Sequence, residues 1–528
     1  MGQQQPVPNT TQIQQQDQKT VIETPAAPEK VIVKKKSVLE AFTGQVKTVI
    51  LSNELTIVEI DPISGSIKSV SMTQQKQELG GTELVKLCAG AKIGALSIDK
   101  QEWKLGAKPI VKSSINSLDL TRKLFKGKQS FEVTQSWMLK DKYQLDYNIS
   151  IKNTSDHELH IPEFTINSGE MQSLAQLTGV QVNIPEINID YVNSETNDFV
   201  KSAVGDERED FPTRSTQSAS IISVNNKFFA IMLKPSTPFT QGIIPVGSFA
   251  PDNTTEGFAV SGNYGDVTVT PGETTTFAAL YFAGIKDQNL IIDFDKSAED
   301  VMHLSSFGPL AYLSERLIDA LEFFKGLTGS YGIAIVLLTI LVRTIFWPIT
   351  AKGTASMKKM QELQPLMKEI KEKYKDDQQT ASMKTMALYK EHKVNPVGGC
   401  LPMLVQIPIF MAFYWGLDGA IALRHVSFLW ANDLAQPDVI GLIPFIDLPL
   451  HPLVLIMAAL MVVQQKLTPS TGDQMQKNMM MIMPLVMVVF MYSMPAGLTL
   501  YWSVSNTMSI IQLLATQKFS NKPKAIEA

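Results

Sequence analysis

Residues 330–350 read SYGIAIVLLTILVRTIFWPIT, an apolar run broken by a single cation, Arg343. About 20 residues rising 1.5 Å each cover the ~30 Å hydrocarbon core of a bilayer, so the run is long enough to cross a membrane. Four further apolar segments follow, 397–420, 449–463, 479–494 and 498–515, which makes five candidate spans. The loop 351–395 between the first two carries ten Lys against six Asp or Glu, and the tail adds Lys518, Lys522 and Lys524. The next loop instead holds Asp418, Asp433, Asp438 and Asp447 around one Arg424. Positive charge marks the side a loop stays on, so the Lys-rich loop and the tail 518–528 are expected in the cytoplasm, with the N-terminal half outside.

Upstream of the first span the period changes. Leu310, Leu313, Leu317, Leu321 and Phe324 recur every three or four residues with Glu315, Arg316, Asp319 and Glu322 between them, an amphipathic helix over 309–325. It either packs on the domain before it or, the preferred reading, lies in the membrane interface. Residues 41–293 alternate apolar with polar in runs such as 55–60, 131–139, 143–151 and 221–233, separated by Asp61-Pro62, Asn153 to Asp156 and Pro271-Gly272. That pattern predicts an antiparallel β-sandwich domain. Residues 1–40 are rich in Gln, Pro, Thr and Lys and read as a disordered polar tether, because they hold too little apolar surface to offset the entropy of ordering. No signal peptide is visible in it.

Composition narrows the function classes. The chain of 528 residues has 47 Lys plus Arg against 51 Asp plus Glu, a net charge of -4, which argues against a general DNA binder. Two cysteines, Cys88 and Cys400, exclude a disulfide scaffold and a Cys-rich metal site. His157 and His160 form an H-x-x-H in a turn, whose spacing there does not hold both rings on one rigid face, and Asp206 to Asp210 around Arg208 read as a solvated loop. No catalytic constellation, metal site or cofactor is expected.

A guanidinium in mid-membrane costs roughly 2.5–3.5 kcal/mol on insertion scales, so Arg343 either snorkels towards the Lys352 side or faces a polar cavity. Thr339, four residues earlier on the same helical face, extends it into a stripe. Gln406 in the second span, and Trp502 with Asn506 in the last, are expected to join it. The Lys-rich loop reads as two helices joined around residues 375–379, with Met357, Met360, Met367, Ile370 and Tyr374 along one and Met383 with Met386 along the other. It is either a solvated positive loop or a docking arm in which Met357, Lys358, Lys359, Met360, Met383 and Met386 offer adaptable contacts.

Several motifs keep a common order: Val342-Arg343, Pro348-Ile349-Thr350, Leu363-Gln364-Pro365, Ala387-Leu388-Tyr389-Lys390, Lys393-Val394-Asn395-Pro396, Gly398-Gly399-Cys400, Gln406-Ile407-Pro408-Ile409-Phe410, Met483-Pro484, Pro495-Ala496-Gly497-Leu498 and Val504-Ser505-Asn506. Over about 309–517 the chain resembles the YidC/Oxa1/Alb3 membrane protein insertases, and the β domain resembles the periplasmic domain of the Gram-negative branch. The resemblance implies a five-helix transmembrane insertase core over 330–517 with a hydrophilic groove, lined by Arg343, Thr339, Gln406 and Trp502, that accepts nascent membrane proteins in the bacterial inner membrane. It also implies the ribosome, the Sec translocon and lipids as partners, a periplasmic β domain and a cytoplasmic C-terminus. Trp502 departs from the family's commoner Tyr. The first anchor of the Gram-negative branch is missing ahead of the β domain, which leads to the expectation of an upstream apolar segment of about 20 residues and six spans in all. Two other functions fit the residues less well: a small-solute transporter using Arg343 as an anion site, and a membrane-anchored sugar-binding protein.

Overall fold

In the computed structural model, the residues described are 41–89, 94–98, 103–171, 186–191, 198–200, 217–243, 259–302, 308–392, 394, 401–444, 447–468 and 474–520. The N-terminal tether, the acidic cluster 206–210, the Gly398-Gly399-Cys400 motif and the last residues of the tail lie outside them.

Alternation builds many strands of the β domain, while the central Ala219–Asn225 and Phe229–Pro235 are buried almost throughout. Gln144–Asn153 turns Leu145, Tyr147, Ile149 and Ile151 inward, and Thr56–Asp61 does the same with Val58 and Ile60. Ten strands form one antiparallel sheet centred on Phe229–Pro235, Thr274–Ile285, Gln144–Asn153, Gln129–Leu139 and Ser117–Lys126. Within it Trp137 stands opposite Tyr147, and Tyr147 opposite Ala279. A second sheet of four strands, Val49–Ser52, Thr56–Asp61, Ser66–Lys76 and Leu84–Leu87, shares the apolar core of the first.

One buried polar knot ties the two sheets. Arg122 donates to the carbonyls of Ile63 (3.1 Å) and Ser64 (2.5 Å) and to Gln135 Oε1 (2.6 Å). Gln135 Nε2 in turn donates to Gly65 O (2.9 Å) and to Tyr147 Oη (2.8 Å). Burial pushes the Arg122 guanidinium down to about 10, still charged at neutral pH. Gly65 turns the chain at φ 66°, and a Cβ there would lie 2.1 Å from Gln135 Oε1. Only glycine combines that dihedral with that clearance.

Helices follow: α1 (Gln288–Phe294), α2 (Gly308–Thr328), α3 (Tyr331–Glu362), α4 (Gln364–Lys373), α5 (Gln378–Glu391), α6 (Leu401–Leu417), α7 (Pro452–Leu467), α8 (Gln474–Met491) and α9 (Ala496–Ser520). The amphipathic α2 turns Ser314, Leu317 and Leu321 inward and packs on α3 and α6. Among the described residues α3 is the one helix long and apolar enough to cross a membrane, while α6, α7 and the second half of α8 are shorter apolar helices. Where the sequence separates a span ending at Thr350 from a hairpin beginning at Ala351, the chain runs as one helix of 32 residues to Glu362. α3 ends at Leu363, and Pro365 falls in the first turn of α4, where its missing N–H leaves no intrahelical bond unmade. Met357, Lys358, Lys359 and Met360 therefore ride on the same helix as Arg343.

Between α6 and α7, the Asp438 carboxylate accepts from Leu453 N (2.6 Å) and Trp430 Nε1 (3.0 Å). It satisfies an orphan amide in the first turn of α7, which no side chain at its own N-cap, His451, does.

Candidate functional site

Three helices, α3, α6 and α9, bring their polar residues to one seam. The hydroxyls of α9 mostly serve their own helix: Thr499, Ser503, Thr507 and Ser509 each donate to the carbonyl four residues earlier. Ser505 differs. Its Oγ accepts from Arg343 Nε at 2.7 Å, from Arg343 Nη2, and from Gln406 Nε2 at 3.3 Å. Gln406 Nε2 also donates to Tyr501 Oη at 2.9 Å, one turn earlier on α9. Arg343 thus reaches a neutral hydroxyl, and among the described residues no carboxylate pairs with it.

Around these groups Val342, Phe346, Thr350, Val405 and Ile409 complete the lining of a cavity with Arg343, Gln406 and Tyr501, with room for about one water molecule. Aromatic rings stiffen one wall: Tyr501 stacks on Phe413 at 4.1 Å, and Trp502 meets Phe410 edge-on at 4.7 Å. Further along α3, the Gln512 amide lies 2.7 Å from Thr350 Oγ1 and donates to Trp347 O at 3.2 Å, a second polar tie between α3 and α9 next to Pro348.

The residues singled out from the sequence separate into two groups. Arg343 and Gln406 meet through Ser505. Thr339 is fully buried and donates to Ile335 O (2.6 Å) on its own helix, while the buried Trp502 Nε1 and Asn506 Nδ2 have no hydrogen-bond partner among the described residues. The partners that reach Arg343 and Gln406, Ser505 and Tyr501, were missed. They sit one position before Asn506 and Trp502, and one residue turns a helix by about 100°. The signal available was the Tyr501–Ser505 spacing of four, which puts two hydroxyls on one face.

At the far end of α3 the helical hairpin has its own small core, with Met360, Leu363, Tyr389 and Val394 buried and Met367 and Leu388 packed on them. Tyr389 Oη donates to Met367 Sδ at 3.3 Å. Met357 and Lys358 are half-buried and Lys359 is exposed; Met383 and Met386 are 61% and 52% exposed, which makes them the apolar face the hairpin presents.

Comparison with known proteins covers both halves in chain order. The family model described as the YidC periplasmic domain matches residues 48–319, and that described as the 60Kd inner membrane protein matches residues 323–524. Two proteins named membrane protein insertase YidC are similar: one from Pelobacter propionicus, 43% identical over 261 residues, 48% of this chain and 47% of that protein, and one from Geobacter sulfurreducens, 43% identical over 248 residues, 47% and 44%. The chain therefore aligns with about half the length of these relatives. A crystal structure of an active YidC insertase is 19% identical over 91% of this chain and 94% of that one, with a TM-score of 0.36, too loose a likeness to add to the family match. With the β domain and the helical half each matched, and in the same order, the chain belongs to the YidC family of inner-membrane proteins.

Proposed function

We propose that this protein is a membrane protein insertase and chaperone, which accepts apolar segments of nascent membrane proteins and releases them sideways into lipid, alone or with the Sec translocon. The observation that carries the reading is the Arg343–Ser505–Gln406 seam, a hydroxyl-bridged cation between α3, α6 and α9. A positive charge within the membrane lowers the barrier for the polar or acidic end of a client to enter half-way. The apolar surfaces of α3 and α6, with Ile345, Leu404 and Ile407 exposed, then take the client's helix.

In this reading α3, α6, α7, α8 and α9 are the five spans. α7 has 16 residues, about 24 Å at 1.5 Å each, short of a ~30 Å core, and a short span draws the bilayer thinner around it. The β domain stands in the periplasm, and the α4–α5 hairpin and the C-terminus in the cytoplasm. There exposed Met383 and Met386 receive the client, with the ribosome as its source. Groove roles fall to Arg343 and Gln406, with Thr339, Trp502 and Asn506 as supporting polar positions.

Site-specific photocrosslinking from position 406 to a stalled nascent transmembrane segment tests the proposal. A crosslink that depends on the client's apolar segment is expected. Saturable flux of a small anion in proteoliposomes, with no crosslink at position 406, would replace the insertase by a transporter.

A further inference from the structure

The turn Asn226–Phe228, between the strands Ala219–Asn225 and Phe229–Pro235, reaches out of the β domain to the C-terminal end of α6. Lys227 Nζ lies 2.8 Å from Asp418 Oδ1, the first residue beyond α6, and the Lys227 side chain is only 15% exposed. Gly419 passes so close that a Cβ there would stand 3.0 Å from Lys227 O. Just downstream, Arg424 Nη2 donates to Gln77 O at 2.9 Å and Nη1 reaches Gln75 Oε1 at 3.5 Å, both in the strand-and-turn region of the second sheet. Its guanidinium also lies over the rings of Phe228 and Phe229, 5.9 and 5.8 Å from their centroids. Asn226 Oδ1 accepts from the amides of Phe228 (3.0 Å) and Phe229 (2.9 Å), so the turn is shaped by its own sequence before it meets α6.

What this grip acts on is the helix that carries Gln406. α6 packs most extensively against α2, where Ser314 Oγ donates to Ala412 O at 2.9 Å, less against α3, and meets α9 through side chains: Phe413 on Tyr501, Phe410 on Trp502, and Gln406 on Tyr501 and Ser505. The C-terminal end of α6 is thus held from α2 on one side and, through Asp418 just beyond it, from the β domain on another. We propose that the β domain is a strut for α6: the Lys227–Asp418 pair and the Arg424–Phe228–Phe229 contact hold its C-terminal end, and so set how closely Gln406 approaches Tyr501 and Ser505. Lys227, Asp418 and Arg424 are positioning residues that act on the groove through α6. The consequence for clients rests on the insertase reading, whereas the mechanical role does not.

Charge reversal tests it in the full chain reconstituted in lipid nanodiscs. Lys227→Glu and Asp418→Lys each set like charges against one another, and the double variant restores an opposite pair. Spin labels at Leu404→Cys on α6 and Ile511→Cys on α9, in a Cys400→Ser background, report the distance across the seam. Each single variant is expected to raise amide exchange at 226–229 and 419–424 by roughly fivefold and to broaden the α6–α9 distance distribution, and the double variant is expected to reverse both. Unchanged exchange in the single variants, or failure of the swap to restore it, would overturn the pairing. Raised exchange with an unchanged α6–α9 distance would reduce the turn to a tether and overturn the strut. Client insertion measured on the same variants speaks to the insertase reading separately, because the distance readout involves no client.

Discussion

Arg343 and Ser505, 162 positions apart in the chain, are joined by two donors of one guanidinium converging on one hydroxyl, with Nε at 2.7 Å. The contact ties α3 to α9 while leaving the charge without a carboxylate partner in the contact, which a structural ion pair would have supplied. Charge should therefore matter more than shape. Arg343→Lys is expected to keep much of the insertion activity, and Arg343→Ala to lose it for clients with acidic tails despite normal assembly, measured by protease protection of inserted clients. If the alanine variant inserts every tested client at the wild-type rate, snorkelling accounts for Arg343 and the electrostatic role falls.

Gly65→Ala should be among the more damaging single changes in the β domain. It forces Ala to φ 66° and drives a methyl into Gln135 Oε1, breaking the Arg122–Gln135–Tyr147 knot, for a loss of about 2 to 5 kcal/mol. Gly272→Ala is the control: its φ of 80° is similar but nothing stands within 4 Å, so it carries strain alone, about 1 to 2 kcal/mol. Chemical unfolding followed by the β-sheet circular dichroism signal compares the two, and equal losses would remove the knot from the account.

Asp438 gives a pH dependence with a definite sign. Burial raises its carboxyl above the ordinary carboxylate value of 3.8, so between that value and the raised one the folded chain binds more protons than the unfolded. Its contribution is fully present below pH 3.8 and is lost as pH rises through the folded-state value. Asp438→Asn keeps an acceptor for Leu453 N and should abolish that part of the stability slope. Thermal unfolding of both proteins across the acid range checks this, and parallel slopes would contradict it.

The exposed and buried methionines of the hairpin should part company. Met383→Ser with Met386→Ser is expected to leave stability within about 0.5 kcal/mol yet reduce hairpin crosslinks to nascent chains. Met360→Ala empties the small core around Tyr389 and should loosen the hairpin by about 2 to 5 kcal/mol, read by limited proteolysis. Normal crosslinking in the double serine variant would leave the hairpin as a topological signal only.

Cys88 is fully buried beside Tyr281, and burial pushes its thiol up to about 12. In a Cys400→Ser background it should resist maleimide in the native protein and label stoichiometrically after unfolding, as read by intact mass. Rapid native labelling would mean that the β domain opens far more readily than its core implies.

Local patterns carried much of this architecture. Alternation over 41–293 marked the strands because a sheet with one buried face repeats every two residues, and the run 330–350 marked α3 because its length matches a bilayer. The exceptional cost of a mid-span guanidinium was enough to single out Arg343, and a lone amide among apolar neighbours picked out Gln406. Periodicity tells which residues share a face but not which helix that face meets. Only the folded chain decided that Ser505 and Tyr501, one position before Asn506 and Trp502, point into the seam, and that Thr339 spends its hydroxyl on Ile335. The same holds for Arg122 beneath the Gly65 turn and for Lys227 against Asp418, contacts between residues 58 and 191 positions apart, whose distance in sequence leaves no periodic trace.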